Sequence, residues 1–148
     1  MAISMRRNVL VQITTPNKIQ ITVETLPGEP PATAISPAYL NDNVTGGSQF
    51  YVFPGLPDTP MAFGNSQPIN FAPASGGSAG LSVMFSTSGT LVGTTLTSGY
   101  ATVGNNNPVN ASIFVGIPGQ QNTARAITVL GATGRVRSYY WTGASWQE

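Results

Sequence analysis

The chain has 148 residues, enough for one domain with a substantial core, and it carries only 7% charged residues and a net charge of +1. A hydrophobic share of 41% with so little net charge favours an ordered chain over a disordered one. Cysteine and histidine are both absent, which excludes disulfides, thiolate metal sites and the usual general base of enzymes. The five carboxylates fall in no motif that we recognise, so we expect no enzyme activity, no metal and no cofactor.

Alternating β-branched residues predict a hairpin near the N-terminus. Residues 8–14 and 18–25 each place apolar side chains on one face, and Thr15-Pro-Asn17 between them is typical of a turn. One apolar and one mainly polar face per strand indicate an antiparallel sheet that covers a core. Residues 1–7 precede this hairpin, and we interpret them as the last turn or two of a helix.

A long segment follows in which regular structure is hard to place. Residues 26–80 hold most of the prolines and many of the glycines, so we expect an irregular excursion. Its aromatic side chains should hold it against the sheet, and these are Phe50, Phe53, Phe63 and Phe71.

Strand patterns resume after the excursion. We predict strands over 81–86 and 91–96, a polar tip at 104–108 and a further strand over 111–117 that ends in a turn at Pro118-Gly119. We find no repeat and no linker. The chain is therefore predicted to be a single, mainly β domain over 1–148.

The last predicted element is a hairpin over 124–141 that turns at Gly131-Ala-Thr-Gly134. Side chains alternate between the two faces of a strand, so Arg135, Arg137, Tyr139 and Trp141 share one face. Two arginines beside two aromatic rings form a surface suited to phosphate or nucleic acid. The rings would stack on unpaired bases if they are exposed.

Charge is unevenly distributed along the chain. Residues 59–147 contain no acidic residue, whereas Arg125, Arg135 and Arg137 all fall within that span. We expect Arg125, on the neighbouring strand, to supply a third phosphate contact. A basic final third would steer an anionic partner towards the hairpin.

Three short motifs, in this order and spacing, carry a family resemblance: Ala2-Ile-Ser-Met-Arg-Arg-Asn-Val9, then Val83-Met-Phe-Ser-Thr-Ser-Gly89, then the hairpin Ile127-Thr-Val-Leu-Gly-Ala-Thr-Gly-Arg-Val-Arg137 with its later tryptophans. Together they resemble the GspH/FimT family of minor type IV pilins and pseudopilins. The resemblance covers nearly the whole chain apart from residues 26–80. It is strongest towards FimT-type minor pilins.

The resemblance implies a fold of two antiparallel sheets after an N-terminal helix, and a role in assembling a pilus or a secretion pseudopilus. It implies other pilins as partners, and an inner-membrane anchor before assembly at the periplasm or cell surface. This chain shows neither the leader nor the long apolar helix of that family. We therefore expect a globular part cut just before Ala2, with Met1 as an added start. Without that helix the isolated domain should be mostly monomeric.

FimT-like members also bind DNA through a Gly-Arg-x-Arg motif, which Gly134, Arg135 and Arg137 match. The resemblance thus implies sequence-independent binding to the DNA backbone for uptake. Two alternatives remain. One is a type II secretion pseudopilin of the GspH type that acts only through subunit contacts, and the other is a viral or surface structural protein.

Each residue of the hairpin also has a purely structural interpretation. Arg135 and Arg137 could be the solvent face of an edge strand, where charge discourages unwanted pairing. Tyr139 and Trp141 could be partly buried cover on the core. Gly134 could be a turn residue with a positive φ.

Overall fold

A computed structural model describes residues 7–14, 16–23, 34–39, 46–73, 82–97 and 100–148. The described part is mainly β and contains no helix, and therefore none that could cross a membrane. Its strands are β1 (Val9–Thr14), β2 (Lys18–Val23), β3 (Ala34–Tyr39), β4 (Gln49–Phe50), β5 (Ile69–Pro73), β6 (Ser82–Phe85), β7 (Leu91–Thr97), β8 (Tyr100–Ile117), β9 (Gln120–Leu130), β10 (Arg135–Trp141) and β11 (Trp146–Gln147).

These strands form one large antiparallel sheet, whose order is β11-β10-β9-β8-β7-β6-β1-β2-β3. The long strand β8 pairs with β7 near its start and with β9 near its end, and β4 and β5 also pair with it. The expected separation into two sheets is not confirmed. The predicted helix remnant lies almost entirely outside the described residues, which begin at Arg7.

The N-terminal hairpin is confirmed. β1 and β2 pair from Val9 opposite Val23 to Thr14 opposite Lys18. On its other side β1 pairs with β6, where Val11 lies opposite Val83. β1 is therefore an interior strand. Val9 and its neighbour Leu10 point to opposite faces of the sheet and are both buried, so both faces are covered at this end of β1.

The prediction of an irregular excursion over 26–80 is wrong in part, because this range contains β3, β4 and β5. β3 pairs with β2, whereas β4 and β5 pair with residues 115–116 and 109–113 of β8, far along the chain. The stretch 51–68 is irregular as expected. Phe50, Phe53 and Phe71 are buried, and Phe63 is half-buried.

The polar tip predicted at 104–108 is also wrong, because the chain continues as β8 through these residues. The pairing of β7 with β8 shifts register here: Val92 lies opposite Pro108, but Thr94 lies opposite Val103. The polar residues are therefore accommodated as an irregularity within a long strand. The next predicted turn, at Pro118-Gly119, is confirmed, since Ile117 and Gln120 pair across it.

Two hydrophobic clusters form the core of the described part. The first joins strands β1, β4, β5, β6, β7, β8 and β9, with Val83, Leu91 and Ala111 almost fully buried. The second lies between the irregular stretch after β4 and the C-terminal strands. Its members are Phe53, Phe114, Ala124, Ala126, Tyr139 and Trp146.

The C-terminal hairpin as a candidate binding surface

The turn of the C-terminal hairpin forms where the sequence predicts it. Leu130 pairs with Arg135 across residues 131–134, and Thr133 N–H donates to the Leu130 carbonyl at 3.2 Å. Gly134 has a φ of 64°, a conformation that residues with a side chain adopt only at a cost. The structural interpretation of Gly134 as a positive-φ turn residue is thus confirmed.

This turn is packed tightly on other parts of the chain. Leu91 N–H donates to the Gly131 carbonyl at 2.8 Å, and Gly131 N–H donates to Asn110 Oδ1 at 3.1 Å. A Cβ at Gly134 would lie 2.1 Å from the carbonyl oxygen of Gly89. The hairpin turn and the turn at residues 86–90 therefore meet through their glycines, although they are far apart in sequence.

The pairing of β9 with β10 decides which side chains share a face. Arg135, Arg137 and Tyr139 lie opposite Leu130, Thr128 and Ala126, so all of these residues point to one side of the sheet. We call this the loop-covered face, because the irregular stretch after β4 packs on part of it. The predicted alternation along β10 is confirmed.

The two arginines of the loop-covered face differ in their surroundings. Arg135 is exposed. The Arg137 side chain is 29% exposed, and its Nη1 donates to Glu148 Oε2 at 2.8 Å. An anion that binds Arg137 therefore competes with Glu148, the only acidic side chain after Asp58 in the sequence.

Arg125 does not join these two arginines. It lies opposite Tyr140, which places it on the other side of the sheet. Its guanidinium carbon lies 5.9 Å from the centroid of the Tyr140 ring, within the range of a cation–π contact. Its Nη1 also donates to the carbonyl oxygen of Ala124 at 2.9 Å. Arg125 therefore does not share a face with the arginine pair, and its phosphate contact stays a prediction.

The two aromatic residues proposed for base stacking are occupied by the core. Tyr139 is 4% exposed and belongs to the second cluster, and its hydroxyl has no hydrogen-bond partner among the described residues. Trp141 is partly buried and contacts Trp146 edge-to-face, with ring centroids 5.5 Å apart. The interpretation of these rings as cover on the core is confirmed, and Tyr139 has no face free to stack on a base.

The opposite side of the hairpin carries exposed hydrophobic side chains that the sequence interpretation missed. We call it the apolar face, and its exposed members are Ile127 (39%), Val136 (56%) and Tyr140 (46%). Val136 lies opposite the buried Val129, which belongs to the first core cluster. The apolar face is thus an uncovered continuation of a core surface.

The outer edge of β10 is covered only at its end. β11 pairs with Tyr140 and Trp141, and no other described strand pairs on that side of β10. Residues 135–139 therefore present an open strand edge among the described residues. Trp146 anchors the short β11, because its Nε1 donates to the Pro57 carbonyl at 2.8 Å and its side chain is buried.

Elsewhere in the described part, little resembles a catalytic or metal site. A cavity of about 130 Å³ is lined by Phe53, Trp146 and Asp58. The Asp58 carboxylate accepts hydrogen bonds from the N–H groups of Thr59 and Gly64, both at 2.7 Å, and so closes the loop that forms the cavity. No group of three metal-ligating side chains occurs among the described residues.

Comparison of the chain with family models, with curated proteins and with solved structures finds no match.

Proposed function

We propose that this chain is the globular domain of a minor pilin or pseudopilin of the GspH/FimT type, and that it acts as a filament subunit through protein contacts of its C-terminal hairpin. The observation that carries the proposal is the contact between two motifs of the family resemblance. Gly134 of the hairpin packs on the Gly89 carbonyl, and the nearest side-chain atom to its missing Cβ is Phe85 Cε1 at 3.8 Å. The second and third motifs of the resemblance, which lie far apart in the sequence, are therefore packed together in the fold.

The exposed apolar face supports protein contacts as the main activity. Ile127, Val136 and Tyr140 are exposed together on one side of two paired strands, as in surfaces that bind other proteins. In the full-length protein we expect an N-terminal helix before β1, anchored in the inner membrane until assembly, and two antiparallel sheets. The assembled subunit would lie in the periplasm or at the cell surface.

The proposal is tested by the gene and its product. The coding sequence upstream of Met1 should encode a prepilin leader junction followed by an apolar helix. The full-length protein should be shortened when it is produced together with a prepilin peptidase, as gel mobility and mass spectrometry would show. An upstream sequence without that junction, or a product of unchanged mass, would contradict the assignment to pilins.

DNA binding is a second candidate activity, supported by the arginine pair. Arg135 and Arg137 lie on one face of an edge strand, and each offers a planar fork of donors to phosphate oxygens. With Arg125 on the other face, two phosphate contacts remain. Counterion release then predicts a log–log salt slope of about −2 and an affinity on the order of 10⁻⁴–10⁻⁶ M without sequence preference.

Removing the arginine pair tests this activity. Arg135→Gln with Arg137→Gln should weaken binding to every DNA sequence and bring the salt slope close to zero, because both phosphate contacts are lost. Arg125→Gln is the matched control: it removes a positive charge from the same hairpin but from the opposite face, and should change the slope little. Titrations of labelled DNA at several salt concentrations measure both. Equal losses in the two proteins would mean that net charge, and not this face, binds DNA.

A further inference from the structure

The open edge of β10 combines a main-chain pattern, a charge pattern and an apolar face. We propose that this edge accepts an extended segment of a neighbouring subunit as an additional antiparallel strand, and that this segment alternates acidic with apolar residues. The inference rests on the proposed filament role and specifies the partner of the same hairpin.

The main-chain groups at this edge suit a peptide better than a nucleic acid. Thr142 N–H donates to the Ser145 carbonyl, and Tyr140 lies opposite Gln147. Thr142 therefore turns its main-chain groups towards β11 and away from β9. Because alternate residues of a strand turn their main-chain groups to the same side, Val136 and Ser138 also direct theirs to the open edge. Such an edge offers N–H donors and C=O acceptors in alternation. A β-strand matches both, whereas a phosphate backbone carries only acceptors.

The side chains on the two sides of this edge define the partner's chemistry. On the loop-covered face, Arg135 and Arg137 would form ion pairs with carboxylates at alternate positions of the incoming strand. The ion pair between Arg137 and Glu148 shows that a carboxylate fits beside Arg137 on this face. Glu148 is the residue that follows β11. Because that pair is solvent-exposed, an incoming carboxylate replaces it at little cost. On the apolar face, the exposed side chains of Val136 and Tyr140 would pack against apolar side chains of the incoming strand.

The arginine pair also argues against a second copy of β10 as the occupant. Two β10 strands paired edge to edge would set the arginines of one against those of the other on the same face. Like charges in cross-strand positions are unfavourable. The arginines therefore discourage self-pairing and favour an acidic partner.

A synthetic strand tests the proposal with the 148-residue chain. The probe is a capped heptapeptide, Thr-Val-Glu-Val-Glu-Val-Thr, which presents its glutamates on one side and its valines on the other. Addition of the probe should shift the amide signals of β10 saturably and slow hydrogen exchange at Val136 and Ser138. A peptide with lysine in place of both glutamates should bind more than about tenfold more weakly, because it sets like charges against the arginines. N-methylation of the central valine should abolish binding.

A charge reversal separates specific docking from general adhesion. Arg135→Glu with Arg137→Glu should invert the preference, so that the lysine peptide binds better than the glutamate peptide. An unchanged melting temperature would show that the variant is folded. Equal binding of both peptides, protection at residues other than Val136 and Ser138, or no binding would overturn the proposal. Protection of these two amides by a DNA oligonucleotide but not by the peptide would assign the edge to DNA instead. Normal leader processing together with any of these results would leave the filament assignment standing and remove only the strand-docking inference.

Discussion

Gly134 lies where two turns meet, and two separate constraints act on it. Its φ of 64° disfavours any L-residue, and a Cβ would lie 2.1 Å from the Gly89 carbonyl oxygen. Gly119 has a similar φ of 81° but nothing within 4 Å of its missing Cβ. The two positions therefore separate the cost of backbone conformation from the cost of a steric clash.

We expect Gly119→Ala to lower the free energy of unfolding by about 1–2 kcal/mol, the cost of a left-handed conformation for a residue with a side chain. Gly134→Ala should lower it by roughly 1–3 kcal/mol more, because the added methyl group meets a backbone oxygen and the two turns must separate. Urea unfolding of both variants measures the difference. Equal destabilisation would show that the contact between the turns is loose.

Glu148 is the acidic neighbour of the arginine pair, and its removal should reveal what Arg137 contributes. With Glu148→Gln, Arg137 no longer needs to exchange a carboxylate for a phosphate. DNA binding should become tighter, whereas the salt slope should stay near about −2, because the two phosphate contacts are the same. The melting temperature should change little, since exposed ion pairs add little to stability. Unchanged binding in this variant, with the wild type binding DNA, would show that Arg137 takes no part.

Among the elements, β11 is short but well anchored. Trp146 is 8% exposed, donates a hydrogen bond to the Pro57 carbonyl and packs on Trp141 and Phe114. This two-residue strand is the structural link between the C-terminus and the irregular stretch after β4. Its position also limits the open edge of β10 to residues 135–139.

Trp146→Ala should therefore cost about 3–5 kcal/mol of stability, as expected for a large buried aromatic side chain. The matched change Trp141→Ala should cost less, because that ring is only partly buried and its indole donates no hydrogen bond within the described residues. Chemical denaturation followed by fluorescence measures both. A Trp146→Ala protein as stable as the wild type would mean that β11 is not docked on the core.

At the scale of the whole molecule, local patterns in the sequence predicted the local elements. The β1–β2 hairpin and the β9–β10 hairpin each join two alternating runs across a recognisable turn, and both are confirmed. The sequence does not predict β5, because its pairing with β8 is distant in sequence and its five residues, Ile69–Pro73, include a proline. The sequence predicts a loop at the irregularity within β8, because the residues there favour turns.

Part of the candidate site could likewise be predicted from the sequence, and part could not. Alternation along β10 predicted which side chains share a face, but not what covers that face. Burial of Tyr139 depends on a stretch of chain that is distant in sequence. The position of Arg125 was open to prediction: a four-residue turn that pairs Leu130 with Arg135 sets Arg125 opposite Tyr140, away from the arginine pair. The exposed apolar face follows from the same register.

The most direct test of the central claim is a photo-crosslinking amino acid placed at Ser138, an exposed residue on the open edge of β10. In cells that make the full-length protein, irradiation should join Ser138 to another filament subunit, and mass spectrometry of purified filaments would identify the adduct. The same group at Asn122, exposed on β9, is the control and should form no such adduct. Absence of the protein from filaments, or equal adducts at both positions, would contradict a filament subunit that binds through the edge of β10.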